Sequence, residues 1–399
     1  MSAHAMTGRR GWVRRCGSPG ILAVASSLWL GLVAPHHADA RGSAVVDAPI
    51  AYRAWSIGAG FSGDELHASQ FAAPVTFQAR LGARADLTTS ISAAASSLEP
   101  GSGSTVRLDG ASSLMSQLSV RFAGDRAMLQ TGMTLPTGTH ALGAGEVGVW
   151  EVANLPVLGF PLRHYGRGFE WNGGLVVARH MGEGGSASLG FGTVLRAPYE
   201  LISGHEGYRP ASEVSVTTGF DLRARGAGSG PPPLRVDLTY RWLGTHREDG
   251  RQVLREGNQL EVQASGALES RSFVGGAFVR VVAKGDYLPY DSTGRAIDRL
   301  QGSSGTSVST RATCARRLGA TRRVGLAGEW NLLRDSDGFA HDGHAYAAGP
   351  FLDTPLGPIL GVHLEATRLW GSLDRGADGE PIALHGASVS ASLRWGAAE

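Results

Sequence analysis

Between Glu213 and Trp242 the chain alternates apolar and polar side chains with a period of two. Val214, Val216, Thr218, Phe220 and Leu222 fall on one face, with Glu213, Ser215, Thr217, Asp221 and Arg223 on the other. The pattern resumes after ARGAGSGPPP, where Leu234, Val236, Leu238, Tyr240 and Trp242 oppose Arg235, Asp237, Thr239 and Arg241. Such alternation predicts two strands, each with one apolar and one polar face. The Gly and Pro residues between them interrupt any regular element, so the stretch reads as a hairpin.

The same code recurs from Ala51 to Trp395 and marks out sixteen candidate strands. The connections near residues 85, 124, 183, 228, 270, 318 and 355 are mostly tight. Those at 63–72, 98–111, 136–168, 198–210, 245–256, 285–304, 334–343 and 371–382 are longer and more polar. Short turns alternating with long loops are the mark of a transmembrane antiparallel up-and-down β-barrel, whose short turns face the periplasm. The expectation is therefore an all-β barrel of about sixteen strands, with fourteen as the alternative. Residues 98–111, 245–256 and 285–304 are expected outside and the turn at 225–232 inside. Aromatics near strand ends (Phe61, Phe122, Phe169, Trp171, Phe220, Trp242, Trp370 and Trp395) fit interfacial girdles. Trp55 and Ile57 share the apolar parity of Phe61 and are assigned to lipid. Arg53, Arg179, Arg322 and Arg368 break apolar parity near strand ends, where a long side chain snorkels to headgroups.

Composition narrows the class. Residues 1–40 carry a basic stretch (Arg9, Arg10, Arg14, Arg15), an apolar run at 21–34 and an Ala38-Asp39-Ala40 cleavage signal, which reads as a secretory peptide. The expected division is signal peptide 1–40, leader 41–50, barrel 51–395 and tail 396–399. Past residue 40 only Cys314 remains, so neither an intrachain disulfide nor a cysteine metal cluster is available there. Cys314 has the parity of Val308 and Ala312 and reads as a small lipid-facing residue. A net charge of +2 argues against nucleic acid. No cofactor is expected.

On the polar parity lie Arg80, Arg121, Glu170, Glu213, Asp221, Arg223, Arg235, Asp237, Arg241, Glu261, Arg280, Arg311 and Glu329. In a barrel they line the lumen, and sixteen strands leave a channel there rather than a filled interior. Residues 136–168 form the least ordinary connection, too long and too apolar for a solvated loop. Two readings stay open: a lid or neighbour-packing segment, or an insertion that narrows the lumen, with Trp150, Val152, Leu155, Leu158 and Phe160 lining an apolar constriction. Asp335, Asp337, His341, Asp342 and His344 have no metal-site spacing and read as solvated loop. No G-x-S-x-G occurs, and no Ser-His-Asp set stands out, so no enzyme is expected.

Thr134-Leu135-Pro136-Thr137-Gly138, with Val157-Leu158-Gly159-Phe160 and Gly166-Arg167-Gly168 downstream, resembles uncharacterised bacterial outer-membrane barrels. These are loosely similar to the fatty-acid and meta-pathway phenol-degradation transporter-like families. The resemblance implies an outer-membrane channel for passive uptake of small solutes, apolar ones among them. Its partners would be outer-membrane lipid, the solute, periplasmic chaperones and the barrel-assembly machinery. A surface-acting barrel enzyme and a structural or adhesive barrel with a filled lumen are the alternatives. Oligomeric state is not legible.

Overall fold

The computed structural model describes residues 44–396, apart from 60–63, 139–140, 164, 205–206, 223–233, 271, 292–294, 298–303, 320, 336–341, 358 and 375–379. The signal-peptide reading, the turn at 225–232, Phe61, Arg223, Asp337 and His341 lie outside these residues.

Sixteen strands run in chain order: β1 (Ala44–Ile57), β2 (Leu66–Leu81), β3 (Ala85–Pro100), β4 (Leu114–Phe122), β5 (Ala127–Leu135), β6 (Glu170–His180), β7 (Gly185–Arg196) and β8 (Glu213–Leu222). They continue with β9 (Leu234–Leu243), β10 (Gln259–Glu269), β11 (Phe273–Lys284), β12 (Gly305–Leu318), β13 (Arg322–Asp335), β14 (Gly343–Pro355), β15 (Leu360–Leu373) and β16 (Ile382–Gly396). Each pairs antiparallel with the next, and β1 closes the sheet on β16 from Val45↔Gly396 to Ile57↔Leu384. The seventeenth member of the sheet is the short strand Val106–Ala111, which extends it beside β3. The predicted closed antiparallel barrel is therefore the fold.

Closure gives each of the sixteen strands a neighbour on both sides, as a barrel requires. β1 starts at Ala44, so most of the stretch read as leader is strand. β2 starts at Leu66, which shortens the expected loop at 63–72. On the tight-turn side β2–β3, β4–β5, β6–β7 and β10–β11 are joined by three or four residues each. On the other side Thr245–Glu248 and Arg251–Arg255 make a rim hairpin, joined by Leu288–Pro289. Its turn is Asp249-Gly250, both at positive φ (48° and 80°), the conformation a two-residue hairpin connection demands.

Large apolar side chains stand exposed on one parity of most strands. In the β8–β9 hairpin alone, Val214, Phe220, Leu222, Leu234, Leu238 and Trp242 are 40–54% exposed. Cys314 is exposed on this outer parity, where it was expected.

An inserted loop and a ladder of ion pairs

Residues 136–168 fold around helix α1 (Glu146–Asn154) and a 3-10 turn at Pro156–Leu158. Arg53 Nη1 donates to the carbonyls of Leu158 (3.1 Å) and Gly159 (2.6 Å), and its Nη2 meets Glu329 Oε2 at 3.2 Å. Trp55 Nε1 donates to the same Leu158 carbonyl at 2.9 Å. Asn331 Nδ2 steadies the Glu329 carboxylate at 2.6 Å. β1 and β13 are four strand spacings apart along the wall, about 19 Å. Side chains from strands so far apart meet only where they converge, inside the barrel. The loop is thus in the interior.

A second set of ties holds the other end. Gln70 exchanges hydrogen bonds with the Leu162 backbone (2.7 and 2.8 Å), Tyr165 shares one with Ser96, and Ser113 exchanges two with the Arg167 backbone. Apolar packing does the rest. Val152, Ala153, Val157, Leu158 and Phe160 join Trp55, Ile57, Leu66, Leu333, Leu369, Leu373, Ile382 and Leu384 in one buried cluster. Val149, Leu142 and Tyr165 pack with Ala72, Ala94 and Leu108 in another. Gly159 sits at φ +60°, with Arg53, Glu329 and Asn331 closing over the place of a Cβ.

Two expectations are corrected here. Trp55 (3% exposed), Ile57 (0%) and Arg53 face inward, not toward lipid. On β1 the outer parity carries Ile50 and Tyr52, each 47% exposed. The reason is that this wall faces an apolar loop rather than water, which inverts the usual parity. Nor do Val152, Leu158 and Phe160, at 5%, 0% and 4% exposure, present themselves to a solute. They fasten the loop to the wall. Trp150 and Leu155 are half-buried against the same clusters. The loop's exposed residues include Glu151 and Pro161. Arg163 lies within electrostatic reach of Arg280, Glu329 and Arg53.

Across from the loop, β6 to β11 carry a slanted ladder of alternating charge. Glu170 binds Arg196 (2.9 Å), Arg196 reaches Glu213 (3.5 Å), Glu213 binds Arg241 (3.1 Å), Arg241 binds Glu261 (2.5 Å) and Glu261 binds Arg280 (2.7 Å). Arg167 at the end of the loop joins at Glu170, 3.6 Å away. Each carboxylate between two guanidiniums is satisfied, so charges that would be costly singly are held together on one face. The remaining sequence candidates pair locally: Arg80 and Arg121 with Asp86, Asp221 with Ser186, Arg235 with Asp237, and Arg311 with Glu365 two strands away from its own neighbour. Arg163 and Arg196 were missed, Arg53 was assigned to headgroups, and Arg167 was named only as part of the Gly166-Arg167-Gly168 motif. Arg196 was findable, being on the parity opposite Leu189, Phe191 and Leu195.

On the rim, His246 is buried between Tyr208 (Nδ1 to hydroxyl, 2.6 Å) and Glu256 (Nε2 to Oε1, 3.1 Å). Burial pushes the Tyr208 hydroxyl pKa up. Burial would also raise that of Glu256. The contact with His246 and the positive charges of Lys284 and Arg196 outweigh it and hold the carboxyl below its ordinary value. Among the described residues no group of His, Cys, Asp and Glu is placed to hold a metal ion.

No family model matches the chain, and no curated protein does. Solved structures similar to it include Pseudomonas putida OprB (9% identity, 88% of this chain and 94% of that one, TM-score 0.45). An anion-selective porin from Comamonas acidovorans (10%, 89% and 100%, 0.40) and Pseudomonas aeruginosa OccK7 (11%, 90% and 99%, 0.40) are others. With TM-scores below 0.5 these likenesses carry no argument about this chain, whose fold is read from its own strand register.

Proposed function

We propose that this chain is an outer-membrane channel for the passive passage of small solutes, narrowed by the inserted loop. The observation that carries the reading is the opposition of the two faces in a closed barrel. One parity exposes a belt of large apolar side chains, and the other carries the ion-pair ladder with Arg80, Arg121, Asp221, Arg235, Asp237 and Arg311. An apolar belt on a closed barrel suits a bilayer, which tolerates spanning sheets only when they have no edges. In this reading the polar face lines water. A solute would pass between the ladder and the loop's polar edge at Glu151 and Arg163. Outer-membrane lipid is the surrounding partner, and periplasmic chaperones and the assembly machinery would deliver the chain. The likeness to the fatty-acid and meta-pathway transporter-like families rests on the loop motifs alone.

The test is conductance in planar bilayers. The purified barrel should give discrete steps, and deleting Gly145–Pro161 should enlarge them. A correctly assembled wild-type barrel that passes no ions, together with a deletion variant that passes none, would remove the channel reading.

A further inference from the structure

The outer face of β13–β16 carries an arrangement that passage through the lumen does not use. Trp330, Tyr346, Trp370 and His385 stand directly opposite one another across these four strands. The Tyr346 and Trp370 rings are stacked, 5.9 Å apart with planes at 20°. Both residues are 38% exposed, and His385 is exposed beside them. The next row of the same parity, toward the tight-turn side, reads Gly328, Ala348, Arg368, Ala387 and, on β1, Ala54. A single arginine is therefore flanked by small residues and roofed by an aromatic row. Arg368 is exposed, whereas Leu369 beside it is buried in the interior cluster, so the guanidinium is on the outer wall. It makes no hydrogen bond or ion pair with any described residue.

An uncompensated guanidinium is unfavourable against hydrocarbon and extends toward headgroups instead. Trp370 lies on the long-loop side of Arg368, and interfacial Trp and Tyr mark the headgroup level. The guanidinium thus reaches the leaflet on that side, where its planar fork matches the oxygens of a phosphate. Gly328, Ala348, Ala387 and Ala54 place no large side chain beside it in that row. The flat faces of Tyr346 and Trp370 above offer apolar surface with polar tips, which suits a sugar ring.

We propose that this patch binds the phosphorylated glucosamine headgroup of an outer-leaflet glycolipid, Arg368 holding a phosphate and Tyr346, Trp370 and His385 covering the sugar. The site rests on the outer-membrane reading above. The experiment uses native mass spectrometry of the full barrel in detergent, with lipid A as the added probe. Arg368→Ala should reduce the bound fraction about tenfold, as loss of a charge-assisted contact implies. Arg179→Ala removes an exposed arginine at the tight-turn end of β6 and should leave binding unchanged. Arg368→Lys keeps the charge and loses the fork, so it should bind between wild type and Arg368→Ala. It also serves if the alanine variant does not assemble. Equal binding by wild type, Arg368→Lys and Arg368→Ala would overturn the proposal. So would a change from oligomer to monomer in Arg368→Ala with lipid binding intact, which would assign the patch to a subunit contact. Conductance measured on the same samples separates the two readings: a conducting barrel that ignores lipid A loses only this site.

Discussion

The interior of the barrel has two walls of opposite chemistry. From β13 through β16 to β1 and β2 it presents Trp55, Ile57, Leu66, Leu333, Leu369, Leu373, Ile382 and Leu384, sealed beneath the loop. From β6 to β11 it presents Glu170, Arg196, Glu213, Arg241, Glu261 and Arg280 in alternating sign. Strand geometry and parity are the same in both. What differs is the neighbour: packed apolar side chains on one wall, charges of opposite sign on the other. The inward face of a strand takes the chemistry of what it touches.

The sharpest way to break this comparison is to place the same charge on the same face of each wall. Ile57→Asp buries an unpaired carboxylate under the loop and should cost several kcal/mol. Thr217→Asp, on the ladder wall and directly opposite only Thr239 and Gly190, should cost less than about 1 kcal/mol. Heat-modifiable gel mobility would read both, and equal loss of the folded form would mean that the two walls are not distinct. Next comes the latch. Arg53→Ala leaves Glu329 without its guanidinium in a mostly buried setting, a loss of about 3–5 kcal/mol in the docking of the loop. The barrel should still assemble while single-channel conductance rises and fluctuates; quiet, wild-type steps would show that Arg53 does not hold the loop.

Leu238→Arg tests the outer face against the inner. It puts a cation in the apolar belt at a cost of about 2–4 kcal/mol near mid-bilayer, where Thr239→Arg one residue on should assemble normally. Assembly yield in lipid vesicles separates them, and identical yields would contradict the facing assignment. The smallest effect concerns the rim. The Glu256 carboxyl is held below its ordinary 4.5, so its contribution to the hairpin Thr245–Arg255 is fully present above about pH 4.5. It is lost as pH falls through the lower native value. Hydrogen exchange of that hairpin should accelerate over this acidic window in the wild type and show a flatter profile in His246→Ala. An unchanged profile would mean that the pair does not support the rim.

The sequence made the barrel legible because β8 and β9 repeat apolar and polar residues with few departures, chiefly Thr218 and Leu243, and a closed sheet needs little more to be recognised. The ladder's parity was legible for the same reason, since Glu213, Arg241, Glu261 and Arg280 alternate with the apolar residues of their strands. The loop-covered wall was not. Trp55 and Ile57 are as apolar as any lipid-facing pair, and only the docking of a segment about a hundred residues away turns them inward. The five loop residues Trp150 to Phe160 were correctly singled out as apolar. Their partners were not readable, because no local period relates Leu158 to Arg53 or Phe160 to the strands it packs on. Arg53 looked like a snorkelling residue for want of knowledge that Glu329 waits across the interior.

The seam between β1 and β16 has a consequence for how the molecule comes into being. The loop is gripped by the first strand and by the last four together, so its docking site is incomplete until the chain's two ends have met. Contacts of such sequence separation form late and slowly, because chain closure must be achieved before they give any return. A loop of this size is more readily enclosed by the wall as it curls shut than threaded into a finished ring. Sealing the seam and seating the loop then become one event, and the order of manufacture is written into which strands hold it.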